Sequence, residues 1–147
     1  MPSFLTNVLS GFFISHSSIS KLLKQSQRSA LKMYEAGIPI VMGADAGNWP
    51  LFTTLFHGVG SIFELEALVD AGIPVNEVLK SATTRAAQML KINDKVGNVK
   101  PGMKADLLLL SENPLKNIKA FRNISYVIKS GYVRSPQEWM DQKDNIK

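Results

Sequence analysis

The sequence predicts an α/β fold, and three observations predict it. An amphipathic helix closed by Gly37 runs into a short apolar segment, Ile38-Pro39-Ile40-Val41-Met42, which ends on the small-residue turn Gly43-Ala44-Asp45-Ala46-Gly47. A second amphipathic stretch follows that turn, so the order is helix, strand, loop, helix, the repeating unit of parallel α/β proteins. Beyond about residue 92 the helical periodicity gives way to strands and tight turns.

The first helix is read over Gln27 to Gly37, where Ala30, Leu31 and Tyr34 share one face and Gly37 suits the left-handed position after a helix end. Ile38 to Gly43 then reads as a buried strand. Ser61-Ile62-Phe63-Glu64 fits a capping box, so the next helix is expected to start at about Ser61, bury Leu65, Leu68 and Val69, and stop at Gly72. Two short helices are predicted over Pro74 to Lys80 and Thr84 to Leu90, the second capped by Thr83 or Thr84.

In the later part, Lys100-Pro101-Gly102 carries proline then glycine at the central positions of a type II turn, and Ala105 to Leu110 follows as a mostly apolar strand. Glu112-Asn113-Pro114 ends that strand. Ile124 to Ile128 and Tyr132-Val133 flank Ser130-Gly131, which reads as a β-hairpin. The tail beyond Pro136 is polar and expected to fray. The stretch up to about Ile19 is expected to be loop before the first helix. The domain reading is therefore 1–92, 93–135 and a tail over 136–147.

Composition narrows the function. With 147 residues and 45% apolar content the chain can bury one modest core, but a complete eight-stranded α/β barrel needs roughly 250 residues. The net charge of +5 comes largely from cations dispersed among acids and strands, with no basic stripe interleaved with aromatics, so nucleic acid is not an expected partner. The absence of cysteine excludes disulfides, thiolate nucleophiles and cysteine-ligated zinc. No apolar run approaches the roughly 20 residues of a membrane span, and Met1 to Ile14 lacks a basic leader region. A soluble chain is expected, with the cytoplasm favoured over other compartments.

Asp45 is the leading candidate for chemistry. A carboxylate at the C-terminal end of a strand, on a glycine-flanked turn, sits where α/β folds keep catalytic groups, and the same pattern also serves as an ordinary turn or cap. Asn48, just after the acid, is a candidate substrate contact, and His57 on its own reads as a histidine that orders the loop. Trp49 is read as packing the loop down. His16, between serines, is read as exposed loop, Glu64 as the capping partner of Ser61, and Asp106 as a strand-entry residue.

The succession Ala36-Gly37-Ile38-Pro39-Ile40-Val41-Met42-Gly43-Ala44-Asp45-Ala46-Gly47-Asn48, His57-Gly58, Glu64-Leu65-Glu66, Ala71-Gly72-Ile73, Ser81-Ala82-Thr83, Ala86-Ala87 and Val96-Gly97 through Pro101-Gly102-Met103-Lys104-Ala105-Asp106-Leu107 resembles the C-terminal part of the metal-dependent amidohydrolase superfamily. It is most similar to the branch of imidazolonepropionase-like and Xaa-Pro dipeptidase-like proteins, over residues 27 to 133.

The resemblance implies a piece of a TIM barrel, with Ile38 to Gly43 as the last barrel strand, followed by the returning strands of a small β-sandwich. It implies that Asp45 binds a divalent metal, expected to be zinc, accepts a proton from metal-bound water and passes it to the leaving group. Ala44 replaces a threonine common before this acid, and the His57-Gly58 pair, placed as in that family before the last barrel helix, implies a substrate contact for His57. The resemblance also implies a His-x-His pair, a mid-barrel lysine or glutamate and two further histidines, whereas this chain has only His16 and His57. The expectation is a fragment that is inactive alone and completed by an N-terminal barrel portion, acting in whole form on a small amide or peptide substrate. Its unpaired sheet edges also predict self-association, a homo-oligomer included. A non-catalytic interaction module derived from such an enzyme is the competing reading.

Overall fold

A computed structural model describes residues 16–45 and 58–141. Helix α1 spans His16–Glu35, longer than the periodicity alone indicates, so residues 16–19, expected to be loop, are helical. Its end is a Schellman motif: the Gly37 N–H donates to Tyr34 O at 2.9 Å and the Ile38 N–H to Met33 O at 3.0 Å, with Gly37 at φ 76°. Ala30, Leu31 and Tyr34 lie against the core, as their spacing predicts.

Residues 38–45 belong to no sheet. Ile40 and Met42, two positions apart, both pack on the core, the alternation of an extended run, while Ile38 is half exposed. A barrel strand is defined by ladders to neighbours on both sides, and among the described residues none pairs with this segment. Its backbone is tied instead to a helix end, the Met42 N–H donating to Ser81 O at 3.2 Å.

Helix α2 covers Val59–Asp70 and buries Gly60, Leu65 and Leu68. It begins two residues before the predicted start, with Gly58 at the N-cap and φ 85°, and Ile62 N–H donating to Gly58 O at 3.2 Å. Ser61 therefore sits inside the first turn, where it cannot cap, and the expected capping box with Glu64 does not form. Gly72 ends the helix as predicted, in a second Schellman motif with φ 101°.

Helices α3, Val75–Ala82, and α4, Thr84–Met89, follow in the predicted places. Thr83 occupies the N-cap of α4, but its hydroxyl donates back to Leu79 O at 2.7 Å and makes no side-chain cap. Arg85 joins the two helices by an ion pair with Glu77, which Lys80 also contacts at 2.8 Å. Lys91, at φ 58°, ends α4 in the conformation that Gly37 and Gly72 adopt elsewhere.

The sheet has the order β1-β2-β3, from Leu107–Leu110, Ile124–Lys129 and Tyr132–Arg134, and is antiparallel throughout. Ser130 and Gly131 both have positive φ, 51° and 85°, which is the type I′ geometry of a two-residue hairpin. Gly102, at φ 86°, sits at the third position of the predicted turn, closed by Met103 N–H donating to Lys100 O at 3.2 Å.

A 3₁₀ turn, Ile118–Arg122, interrupts the β1 to β2 connection and sends Ile118 into the helical core beside Leu65, Leu68, Ile73 and Val78. Arg122 clamps this turn to α2 through a bidentate pair with Glu66, at 2.6 and 2.7 Å, and lies 5.6 Å from the centroid of Phe63.

Over its described residues the tail is helical where fraying is expected. Helix α5, Pro136–Asp141, is nucleated by a capping box in which Glu138 accepts from the Ser135 N–H at 2.6 Å and the Ser135 hydroxyl accepts from the Glu138 N–H at 3.3 Å. Trp139 then docks on the sheet, donating to Val127 O at 3.0 Å under the Arg134 guanidinium.

The ladder register puts Leu107, Leu109, Tyr126, Ile128 and Val133 on one sheet face. Leu109, Tyr126 and Val133 are exposed there. A sandwich needs a second sheet about 10 Å away. Among the described residues there is one sheet of three strands, so neither the sandwich nor the barrel is formed by them.

Candidate active site

Asp45 closes the 38–45 segment. It is exposed and adopts φ 46°, a left-handed conformation that few side chains other than asparagine and aspartate tolerate. Three residues earlier, the Met42 hydrogen bond and the packing of Ile40 and Met42 fix the run on the core. The acid thus follows a stretch of anchored backbone and holds a sparsely populated conformation of the kind that clusters at functional sites.

The other candidates divide sharply. Asn48, Trp49 and His57 lie outside the described residues. His16 opens α1, which places it at a helix start. Glu64 has lost its capping role: it sits half-buried on α2, and burial pushes its carboxyl above the usual glutamate range.

Asp106 does more than begin a strand. Its Oδ1 accepts the Ser130 N–H at 2.7 Å, and Ala105 O accepts the Gly131 N–H at 3.1 Å, so Ala105-Asp106 holds the hairpin turn from across the sheet. An acid immediately before an apolar strand, paired with a later Ser-Gly turn, was the signal for this contact.

Among the described residues no group of three His, Cys, Asp or Glu side chains converges to hold a metal ion. A catalytic metal normally takes at least three protein ligands, so these residues alone do not fit a metal centre. An open hollow on α1, beside Ser20, Lys21, Lys24, Gln25 and Arg28, includes none of the candidate residues. No helix of the described residues is long and apolar enough to cross a membrane.

The helices, the extended segment that carries Asp45 and the small antiparallel sheet together resemble parts of solved hydrolases. A solved Xaa-Pro dipeptidase with bound methionine superposes with a TM-score of 0.64 at 31% identity, over 76% of this chain and 25% of the other. An ochratoxinase from A. niger superposes with a TM-score of 0.59 at 26% identity, over 90% of this chain and 30% of the other. The imidazolonepropionase of Porphyromonas gingivalis is 26% identical over 114 residues, 76% of this chain and 26% of that protein. The model of the amidohydrolase family matches residues 8–134, and the chain belongs to that family. It spans about a quarter of the length of the imidazolonepropionase and of the dipeptidase that it matches. The family is one of hydrolases that generally depend on a metal.

Proposed function

We propose that this chain supplies the acid-bearing end of an amidohydrolase that cleaves carbon–nitrogen bonds in a cyclic amide or a dipeptide, and that it is inactive without the rest of the barrel. The observation that carries the proposal is Asp45, in a left-handed conformation three residues after the core-anchored Met42, within a family match that covers most of the chain. The likeness to an imidazolonepropionase and a Xaa-Pro dipeptidase supports the substrate class.

In this reading the oxygen of a water molecule attacks the carbonyl carbon, the carbon–nitrogen bond breaks, and Asp45 carries the water's proton to the departing nitrogen. A carboxylate suits both halves of that transfer, as base first and acid afterwards. Asn48 and His57, which follow Asp45 in the sequence, are proposed to contact substrate. Zinc is the proposed metal, held in the whole protein by Asp45 together with ligands from outside the described residues.

The competing reading is a non-catalytic module, favoured by the lack of a metal-binding group among the described residues. Hydrolysis of a Xaa-Pro dipeptide and of imidazolonepropionate, followed with the chain alone and with protein carrying the whole barrel, separates the two. Turnover only in the second case supports the enzyme. Absence of turnover in both, with the barrel folded and zinc-loaded, supports the module.

A further inference from the structure

The last four carbonyls of a helix have no partner within it. At the end of α3 three of them are satisfied in sequence. Leu79 O accepts from the Thr83 hydroxyl at 2.7 Å, Lys80 O from the Thr83 N–H at 3.2 Å, and Ser81 O from the Met42 N–H at 3.2 Å. The third partner is different in kind, since it belongs to the segment that carries Asp45. Helix α3 and the candidate acid are therefore joined by a backbone hydrogen bond three residues before the carboxylate.

Ser81 itself is 1% exposed, next to Val78 at 1%. Its hydroxyl turns back to donate to Val78 O at 2.7 Å, so the side chain takes up little room and leaves no polar atom to satisfy elsewhere. Protein interiors are close-packed, and an atom added at such a position must displace a neighbour. The backbone bonded to this residue from outside α3 is that of Met42.

We infer that Ser81 is a positioning residue for Asp45: a small side chain at the end of α3 keeps the Ser81 carbonyl within reach of Met42, and that contact sets where the acid is presented. The inference rests on the catalytic reading of Asp45 for its consequence in turnover, but not for its structural content. Ser81→Ala removes only a hydroxyl that is satisfied within its own helix, and leaves the acid in place. Ser81→Val adds bulk and pushes the segment away.

Amide hydrogen exchange on the full chain tests the contact, with the Val78 amide, bonded to Pro74 O at 3.0 Å, reporting on α3 itself. The expected result is that Ser81→Val speeds exchange at Met42 by about tenfold or more with Val78 unchanged, while Ser81→Ala stays within about twofold of the parent. Should Ser81→Val speed exchange at Val78 too, Ser81→Thr, which adds a single methyl, is read the same way. Equal protection of Met42 in the parent and in the bulkier variant that leaves Val78 protected overturns the inference.

The second readout uses protein carrying the whole barrel and a Xaa-Pro dipeptide. Ser81→Val is expected to lower kcat about tenfold or more with KM nearly unchanged, and Ser81→Ala to restore it. An unchanged kcat beside an inactive Asp45→Asn protein overturns the positioning role. An active Asp45→Asn protein overturns the catalytic reading instead, and the exchange at Met42 then decides the contact alone.

Discussion

Asp106 Oδ1 accepts a 2.7 Å hydrogen bond from the backbone N–H of Ser130, reaching from the start of β1 to the turn between β2 and β3. Ser130 holds φ 51°, a conformation that is costly for a residue with a Cβ. The carboxylate offsets that cost by bonding the strained peptide directly. Asp106→Ala is therefore expected to destabilise the chain by about 1 kcal/mol and to loosen the hairpin. Chemical denaturation reads the first effect, and amide exchange at Ser130 the second. A variant with parental stability and parental exchange removes this role.

Gly97 is at φ 93°, and a Cβ built there would lie 2.7 Å from the Ala87 Cβ and 3.0 Å from Thr83 O. Thr83 lies at the junction of α3 and α4 and Ala87 is a buried residue of α4, so neither yields easily. Gly97→Ala combines left-handed strain with overpacking and is expected to cost about 2–4 kcal/mol. Thermal melting of the variant checks this, and a change below about 0.5 kcal/mol would show that the loop moves freely away from α4.

Two glutamates on α2 give opposite responses to pH. The hydrogen bonds from Arg122 hold the Glu66 carboxyl below its ordinary value of 4.5, whereas burial raises that of Glu64. Glu66 thus contributes stability that is present above 4.5 and lost as pH falls through its lower folded value. Glu64 contributes stability that is present below 4.5 and lost as pH rises through its higher folded value. At neutral pH Glu66→Gln should lower the melting temperature and Glu64→Gln should raise it. Both differences should shrink by about pH 3. Melting curves at the two pH values check the signs, and a lower melting temperature for Glu64→Gln at neutral pH would contradict the burial argument.

Zinc should bind the isolated chain weakly, because among the described residues no cluster of ligands accompanies Asp45. Calorimetric titration at neutral pH measures this. A stoichiometric site of submicromolar affinity would mean that the chain carries a complete ligand set.

Features set by a few adjacent residues were legible in the sequence. Gly37 and Gly72 end helices, and Ser130-Gly131 and Pro101-Gly102 make turns, because positive φ is a local requirement that glycine meets. The strand over Ile38 to Gly43 depends on partners elsewhere in space, so its apolar pattern appears in the packing of Ile40 and Met42 while its ladder does not. Ser61 misled because Gly58, a weaker sequence signal, starts the helix first. The capping pair of helix α5, Ser135 and Glu138, is written in a tail whose polar composition argues for fraying, and Trp139 supplies the anchor that outweighs it. Within the site, the small-residue stretch around Asp45 is legible, but the contact between Met42 and Ser81 pairs two backbones, and the sequence marks it only by a small residue at position 81.

The measurement that bears most directly on the account is the turnover of Asp45→Asn in protein carrying the whole barrel, compared with the parent on a Xaa-Pro dipeptide. Asparagine keeps the size and one oxygen but removes the charge and the basicity. If Asp45 carries the proton from water to the leaving nitrogen, kcat should fall by about 100-fold to 10,000-fold, with much less change in KM. His57→Ala, on the proposed substrate-binding loop, should instead act chiefly on KM. Near-parental kcat for Asp45→Asn would contradict the proposed role of the acid.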